Sequence, residues 1–291
     1  MARDWRADVV LYPPMLPAGL LAARAAGSLA VVHGIGLRHP LFPLGTDVLP
    51  PVVAEAGVTA PPRHPDAELA LAPDSLEKIN PSSPGDGAPY EVLPLRPCTY
   101  NGGGEVPPWA LKAPGRPRIL LTLGSVAAHN DGQAELLSAV IRGSEVLDAE
   151  VVVTAGGSDL TALLGELPDR VRPMDSFLPL GAVLPTCAAV VHHGGMSTMF
   201  SALTAGVPQV IVPTTKGDAL TNARVVEERG AGVAVDPAGC TAATAAEALR
   251  RVVRQPGFRA VSEDVAAELA AMPDPRDVVA RLAASAAAHR S

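Results

Sequence analysis

Two histidines, two glycines and two hydroxyls fall together in the run His192-His193-Gly194-Gly195-Met196-Ser197-Thr198, and Lys216, Asp218 and Asn222 follow it. Glycines let a backbone approach a ligand closely, and Ser197 and Thr198 stand where a helix start leaves amide hydrogens unpaired, the arrangement that binds phosphate. Asp218, Asn222 and Lys216 supply the donors and acceptors of a polar, sugar-sized site. The chemistry read from these types is a phosphate site beside a polyol site. A Gly-Gly turn also joins strand to helix in α/β proteins that bind nothing there. Taken alone, His193 reads equally as a core histidine, Asn222 as a helix cap and Lys216 as a solvated loop charge.

Such residues need a strand, a turn and a helix to hold them. The apolar run from Ala188 to Val191 reads as a buried parallel strand, the chain breaks at His192 to Gly195, and a helix resumes near Ser197 and ends at Gly206. Gln209 to Val212 is the next strand, with a polar loop after Pro213. In an open α/β sheet, loops at the carboxyl ends of neighbouring strands line one crevice. Upstream, Ile119 to Leu123 is a strand closed by Gly124-Ser125, where the Ser125 hydroxyl and amide either meet a second phosphate or simply close the turn. Gln133 to Arg142 is helical, and Glu150 to Thr154 and Val171 to Met174 are strands, the latter leading to Phe177-Leu178.

The start of the chain repeats the logic. Ala7 to Tyr12, a helix ending at Gly27 and Leu29 to Val32 form a βαβ unit. A short helix around Pro51 to Ala56 and strands at Glu68 to Ala72 and Tyr90 to Leu95 follow, with a loop over 73–89. After the central stretch come a helix stopped by Gly230, a last strand from Gly232 to Val235, and helices over Ala242 to Arg254, Phe258 to Met272 and Pro275 to His289.

Length and composition bound the class. With 291 residues, 48% of them hydrophobic, the chain fills the core of one large or two moderate domains. A formal charge of -7 argues against a general field for nucleic acid. Three cysteines, Cys98, Cys187 and Cys240, lack metal-like spacing and fit a reduced cytoplasmic setting. No apolar run approaches the ~20 residues of a membrane span, and no signal-type core follows the charged start.

The run HHGGMST, the GVPQVIVP after it, and the spaced Asp218 and Asn222 together resemble the nucleotide-sugar signature of GT-B glycosyltransferases, especially the bacterial enzymes acting on macrolides and aromatic polyketides. Ser197 stands where that family usually has a third glycine. Arg96 to Leu111, with its Tyr-Asn-Gly run, resembles the family's interdomain linker. The resemblance spans nearly the whole chain. It implies an α/β, GT-B-like fold: a partial acceptor-side domain and linker over 1–113, then a Rossmann-type nucleotide-sugar domain over 114–291.

It also implies roles. His193 would contact the proximal phosphate, Gly195, Ser197 and Thr198 would cradle it, and Ser125 would meet the distal phosphate. Backbone groups near Leu178 would face the base, Asp218 and Asn222 the sugar, while His192 packs or orients its neighbour. Ala219 replaces a frequent glutamine, which fits a deoxysugar donor or a site no longer used for sugar. The implied reaction is inverting transfer from a dTDP- or UDP-sugar to a natural-product aglycone, with no cofactor and no essential metal. Much of the family's acceptor domain, with its histidine base, lies upstream of a start like this one, so the chain is expected to be shortened. That would open a strand edge, to be covered by a second copy, a partner chain or rearranged packing. No catalytic residue is assigned; His33 and His39 are the acceptor-side histidines, and each reads equally as a loop or core residue. The other function considered is a GT-like protein without transferase activity, an accessory subunit or a fold reused on a polyketide-like ligand. Expected partners are the nucleoside diphosphate sugar, the aglycone and the covering chain, with neither nucleic acid nor membrane.

Overall fold

A computed structural model of the chain describes residues 2–41, 50–55, 57–58, 63–100, 104–124, 132–154, 160–174, 177–214 and 217–289. Ser125 and Lys216 lie outside these. The chain divides into two compact units, Met1–Pro97 with Ala271–Ser291, and Cys98–Ala270. In chain order the elements are α1 (Ala2–Trp5), β1 (Val9–Tyr12), α2 (Ala18–Ala26), β2 (Leu29–His33), α3 (Pro50–Glu55), β3 (Ala67–Ala70), α4 (Asp74–Glu77) and β4 (Glu91–Pro94). There follow β5 (Arg118–Thr122), α5 (Gln133–Gly143), β6 (Glu150–Thr154), α6 (Leu160–Leu164), β7 (Val171–Met174), α7 (Leu180–Val183), β8 (Ala189–His192) and α8 (Met196–Thr204). The chain ends with β9 (Gln209–Ile211), α9 (Asp218–Arg229), β10 (Gly232–Ala234), α10 (Ala242–Arg254), α11 (Pro256–Ala271) and α12 (Pro275–His289).

The first unit is a parallel sheet in the order β1-β2-β3-β4. Alternation along β2 explains its two covered faces: Ala30 and Val32 pack with Leu20, Leu21 and Ala23 of α2, whereas Leu29 and Val31 pack with Leu69, Leu93 and, from α12, Val278 and Leu282. The tail of the chain therefore belongs to this unit. β1 is an edge strand, and Leu11 on it is exposed.

The second unit is a six-stranded sheet in the order β10-β9-β8-β5-β6-β7, with every pair parallel. The middles of its central strands, β5, β6 and β8, are continuous apolar runs because both faces are covered. Ile119, Leu121, Val151, Val153 and Val191 pack with Leu137 of α5 and Leu249 and Val252 of α10; Leu120, Val152 and Val190 pack with Leu184, Ala202 and Val207. Val106, Trp109 and Ala110 join the second cluster, so the segment before β5 packs with this unit. Arg118 strengthens that seat, with its guanidinium 4.9 Å from the Trp109 ring and bonded to Glu150 and Thr186. No helix among the described residues is long and apolar enough to cross a membrane.

The order of the second sheet reverses between β5 and β8, where chain succession runs outward in both directions. The crevice outside the carboxyl ends at such a reversal is where open α/β sheets bind ligands.

Candidate functional site

The strand-turn-helix read from the sequence sits at that reversal. β8 ends on His192, residues 193–195 turn, and α8 begins at Met196 with Gly195 as its cap. No side chain caps α8 and none of its first-turn residues is acidic. The first intrahelical bond of α8 runs from the Met199 amide to the Gly195 carbonyl, so the amides of Met196, Ser197 and Thr198 have no acceptor within the helix. Ser197 is exposed at this end, with its carbonyl accepting from Ser201 Oγ at 2.7 Å, and Thr198 is buried.

His193 lies in a slot made by two missing side chains. A Cβ on Gly124 would fall 2.6 Å from His193 Cε1, and one on Gly195 would fall 2.6 Å from Nε2. The ring is thus clasped between the turn after β5 and the turn after β8. Burial pushes its pKa below the usual imidazole range, so the ring is neutral, and its Nδ1 is buried without a partner. A buried polar atom left unpaired costs roughly 1–3 kcal/mol, which a bound ligand can recover.

His192 does different work. Its Nδ1 accepts the Gly194 amide at 3.1 Å, which fixes the proton on Nε2, and Nε2 donates to Gln209 Oε1 at 2.8 Å. Fully buried, it is held neutral with a pKa lowered to about 3, desolvation being the main cause. His192 therefore orients the turn from beneath. Asn222 pins it from the side: Nδ2 donates to the Gly194 carbonyl at 2.8 Å while Oδ1 stays buried and unpaired. Asn222 lies inside α9 rather than at its start, so it caps no helix. Gly194 has φ +91°, and a Cβ there would meet the Ala219 carbonyl at 2.9 Å, so the turn admits only glycine.

Asp218 is the first residue of α9 and is exposed, on the connection that leaves β9 beside the turn. Leu178 buries its side chain among Leu120, Val183 and Leu184, which leaves only its backbone for a ligand. The role expected of Ser125 lies outside the described residues. Three contributors escape sequence reasoning. Thr122 Oγ1 accepts both from Thr154 Oγ1 at 2.7 Å and from the Gly124 amide at 3.3 Å, and so shapes the turn under His193. Gln209 supports His192, and Thr214, in the connection after β9, holds a buried unpaired hydroxyl. Among the described residues, no group of three or more His, Cys, Asp or Glu side chains converges as for a metal ion.

Comparison with known proteins decides the family. Residues 136–285 match the Erythromycin biosynthesis protein CIII-like family, C-terminal domain, and residues 1–124 match its N-terminal domain. The chain belongs to the GT-B antibiotic glycosyltransferases. It is 37% identical to the Elloramycin glycosyltransferase ElmGT of Streptomyces olivaceus, over 97% of this chain and 69% of that protein. It is 34% identical to the Tylactone mycaminosyltransferase of Streptomyces fradiae, over 100% of this chain and 68% of that one. Among solved structures, the glycosyltransferase SnogD from Streptomyces nogalater matches with a TM-score of 0.83 and 36% identity over 98% of this chain and 76% of its own. Glycosyltransferase VinC, solved in complex with dTDP, matches with a TM-score of 0.79 and 31% identity over 98% and 73%. The α/β, parallel-sheet architecture expected from the sequence is the one these relatives share.

Proposed function

We propose that the chain binds a dTDP- or UDP-linked deoxysugar and transfers the sugar, with inversion, to a hydroxyl of a polyketide-like natural product. One observation carries this reading: a neutral histidine with an unpaired buried Nδ1, clasped between two glycine turns beside the uncapped start of α8. A diphosphate there meets helix amides and the positive end of the helix dipole, each favouring negative charge. Negative charge grows on the diphosphate as the sugar leaves, so the same donors act on the transition state. The unpaired Asn222 Oδ1 and Thr214 Oγ1, with Asp218, offer acceptors for sugar hydroxyls. Ala219 in place of a longer polar side chain suits a donor with fewer hydroxyls. Because the helix end and His193 meet the charge, we propose that transfer needs no added metal.

Calorimetry with dTDP and UDP, followed by turnover with a panel of sugar nucleotides in EDTA, tests the reading. Binding of one nucleotide and metal-independent transfer are expected. Nucleotide binding without transfer to any acceptor supports the accessory role instead, and no nucleotide binding removes the donor assignment.

A further inference from the structure

The amino ends of β5, β6 and β7 frame a cleft of about 700 Å³, at the opposite end of the second unit's sheet from the turn at 193–195. Arg116 stands just before β5, Glu150 opens β6, and Arg170 and Arg172 stand just before and within β7. Among the described residues, three guanidinium groups and two carboxylates, those of Glu150 and Asp169, line the cleft. Arg118 pairs with Glu150 from behind and adds a further positive charge. Two more carboxylates reach the arginines from outside, Asp148 to Arg116 and Glu145 to Arg170, but they are 85% and 60% exposed. Ion pairs so open to water are weak, and a ligand can replace them. The lining is therefore positive, in a chain whose formal net charge is -7.

Arg172 is held at two points and open at a third. Its Nε donates to Glu150 Oε1 at 3.2 Å, and its guanidinium carbon lies 5.0 Å from the centre of the Trp109 ring. Glu150 Oε2 accepts from Arg118 Nε, also at 3.2 Å, so one carboxylate aligns both guanidinium groups against one ring. Neither Nη1 nor Nη2 of Arg172 bonds any described residue. A guanidinium fixed through Nε and through its face presents those two groups as a ready fork, which matches the paired oxygens of a phosphate. The far wall is fixed as well, because Arg170 donates to Ser144 Oγ at 2.7 Å and to the Ile141 carbonyl at 2.9 Å. Preorganised donors lose little freedom when a ligand arrives.

We propose that this cleft binds a phosphorylated small molecule, with Arg172 as its bidentate anchor and Arg116, drawn from Asp148, as the second cation. Trp109, Arg118 and Glu150 brace the anchor from behind. The volume lies within the range of small-molecule sites, roughly 300–1,000 Å³. The site is separate from the turn at 193–195 and does not rest on the transfer reading.

Trp109 is the reporter. The chain has two tryptophans, so Trp5→Phe in the full chain leaves Trp109 as the only one. Pyrophosphate and glucose 1-phosphate are titrated against its fluorescence, with sodium chloride at matched ionic strength and succinate as controls. A saturating change with a phosphate probe is expected, and neither control should produce it. Loss of a hydrogen bond to a charged group should make Arg172→Gln bind the probe about ten- to hundredfold more weakly, with melting temperature and dTDP affinity unchanged. Gly195→Ala should keep the Trp109 response in full, which separates this cleft from the first site. No saturating response to either phosphate probe, an equal response to succinate or chloride, or undiminished affinity in Arg172→Gln overturns the proposal.

Discussion

An alanine at position 195 would put a Cβ 2.6 Å from His193 Nε2 and 2.9 Å from Cε1. Backbone strain does not enter, because Gly195 has φ -64° and ψ 137°, which any residue adopts. The neighbour that must move is a side-chain ring, so the fold loses little and His193 leaves its slot. The hydrogen bond it would make to a charged diphosphate is worth roughly 1.5–3 kcal/mol. At 1.4 kcal/mol per tenfold, Gly195→Ala should weaken dTDP binding about ten- to hundredfold. Gly194→Ala is the contrast: φ is +91°, and its Cβ would strike the backbone of Ala219. That strain should cost about 1–3 kcal/mol of folding stability. Calorimetry gives the first quantity and urea unfolding the second. If Gly195→Ala binds dTDP as tightly as the unsubstituted chain, or is destabilised as much as Gly194→Ala, the slot argument is wrong.

Acid should destabilise the second unit through His192, whose folded pKa of about 3 lies below the ordinary 6.5. The unfolded ring takes up a proton first, so stability is complete above about 6.5 and falls by up to roughly 1.4 kcal/mol per pH unit below it. That is about 2 kcal/mol by pH 5, and a urea series in His192→Gln should show a flatter pH dependence. Asn222→Leu strands the buried Gly194 carbonyl and should lower stability by roughly 1–3 kcal/mol, read from the urea midpoint. Arg38 forms a buried ion pair with Glu68 at 2.9 Å; Arg38→Met leaves that carboxylate buried without its ion-pair partner, a loss of roughly 3–5 kcal/mol in thermal or urea melts, and Arg38→Met with Glu68→Leu should recover most of it.

The parts of the fold that announce themselves in the sequence are those whose signal is local. Apolar runs such as Ile119 to Leu123 and Ala188 to Val191 read as buried strands because parallel strands covered on both faces need no alternation. The bend at 193–195 is legible from its glycines, and α8 begins one residue earlier than read. α4 escapes the sequence because its four residues lie in a run of Pro, Asp, Ser and Asn, too short for a helical period to emerge. The division of labour between the two histidines is not local at all. His192 finds Gln209 because Val190 stands opposite Gln209 in register and alternate residues share a face. His193 finds Gly124 because β5 and β8 are neighbours. Asn222 looks like a cap until α9 is seen to begin at Asp218.

A crystal of the full chain soaked with dTDP tests the central claim most directly. Diphosphate density is expected against the amides of Met196, Ser197 and Thr198, with an oxygen on His193 Nδ1. An empty bend, or nucleotide bound anywhere else, would contradict it.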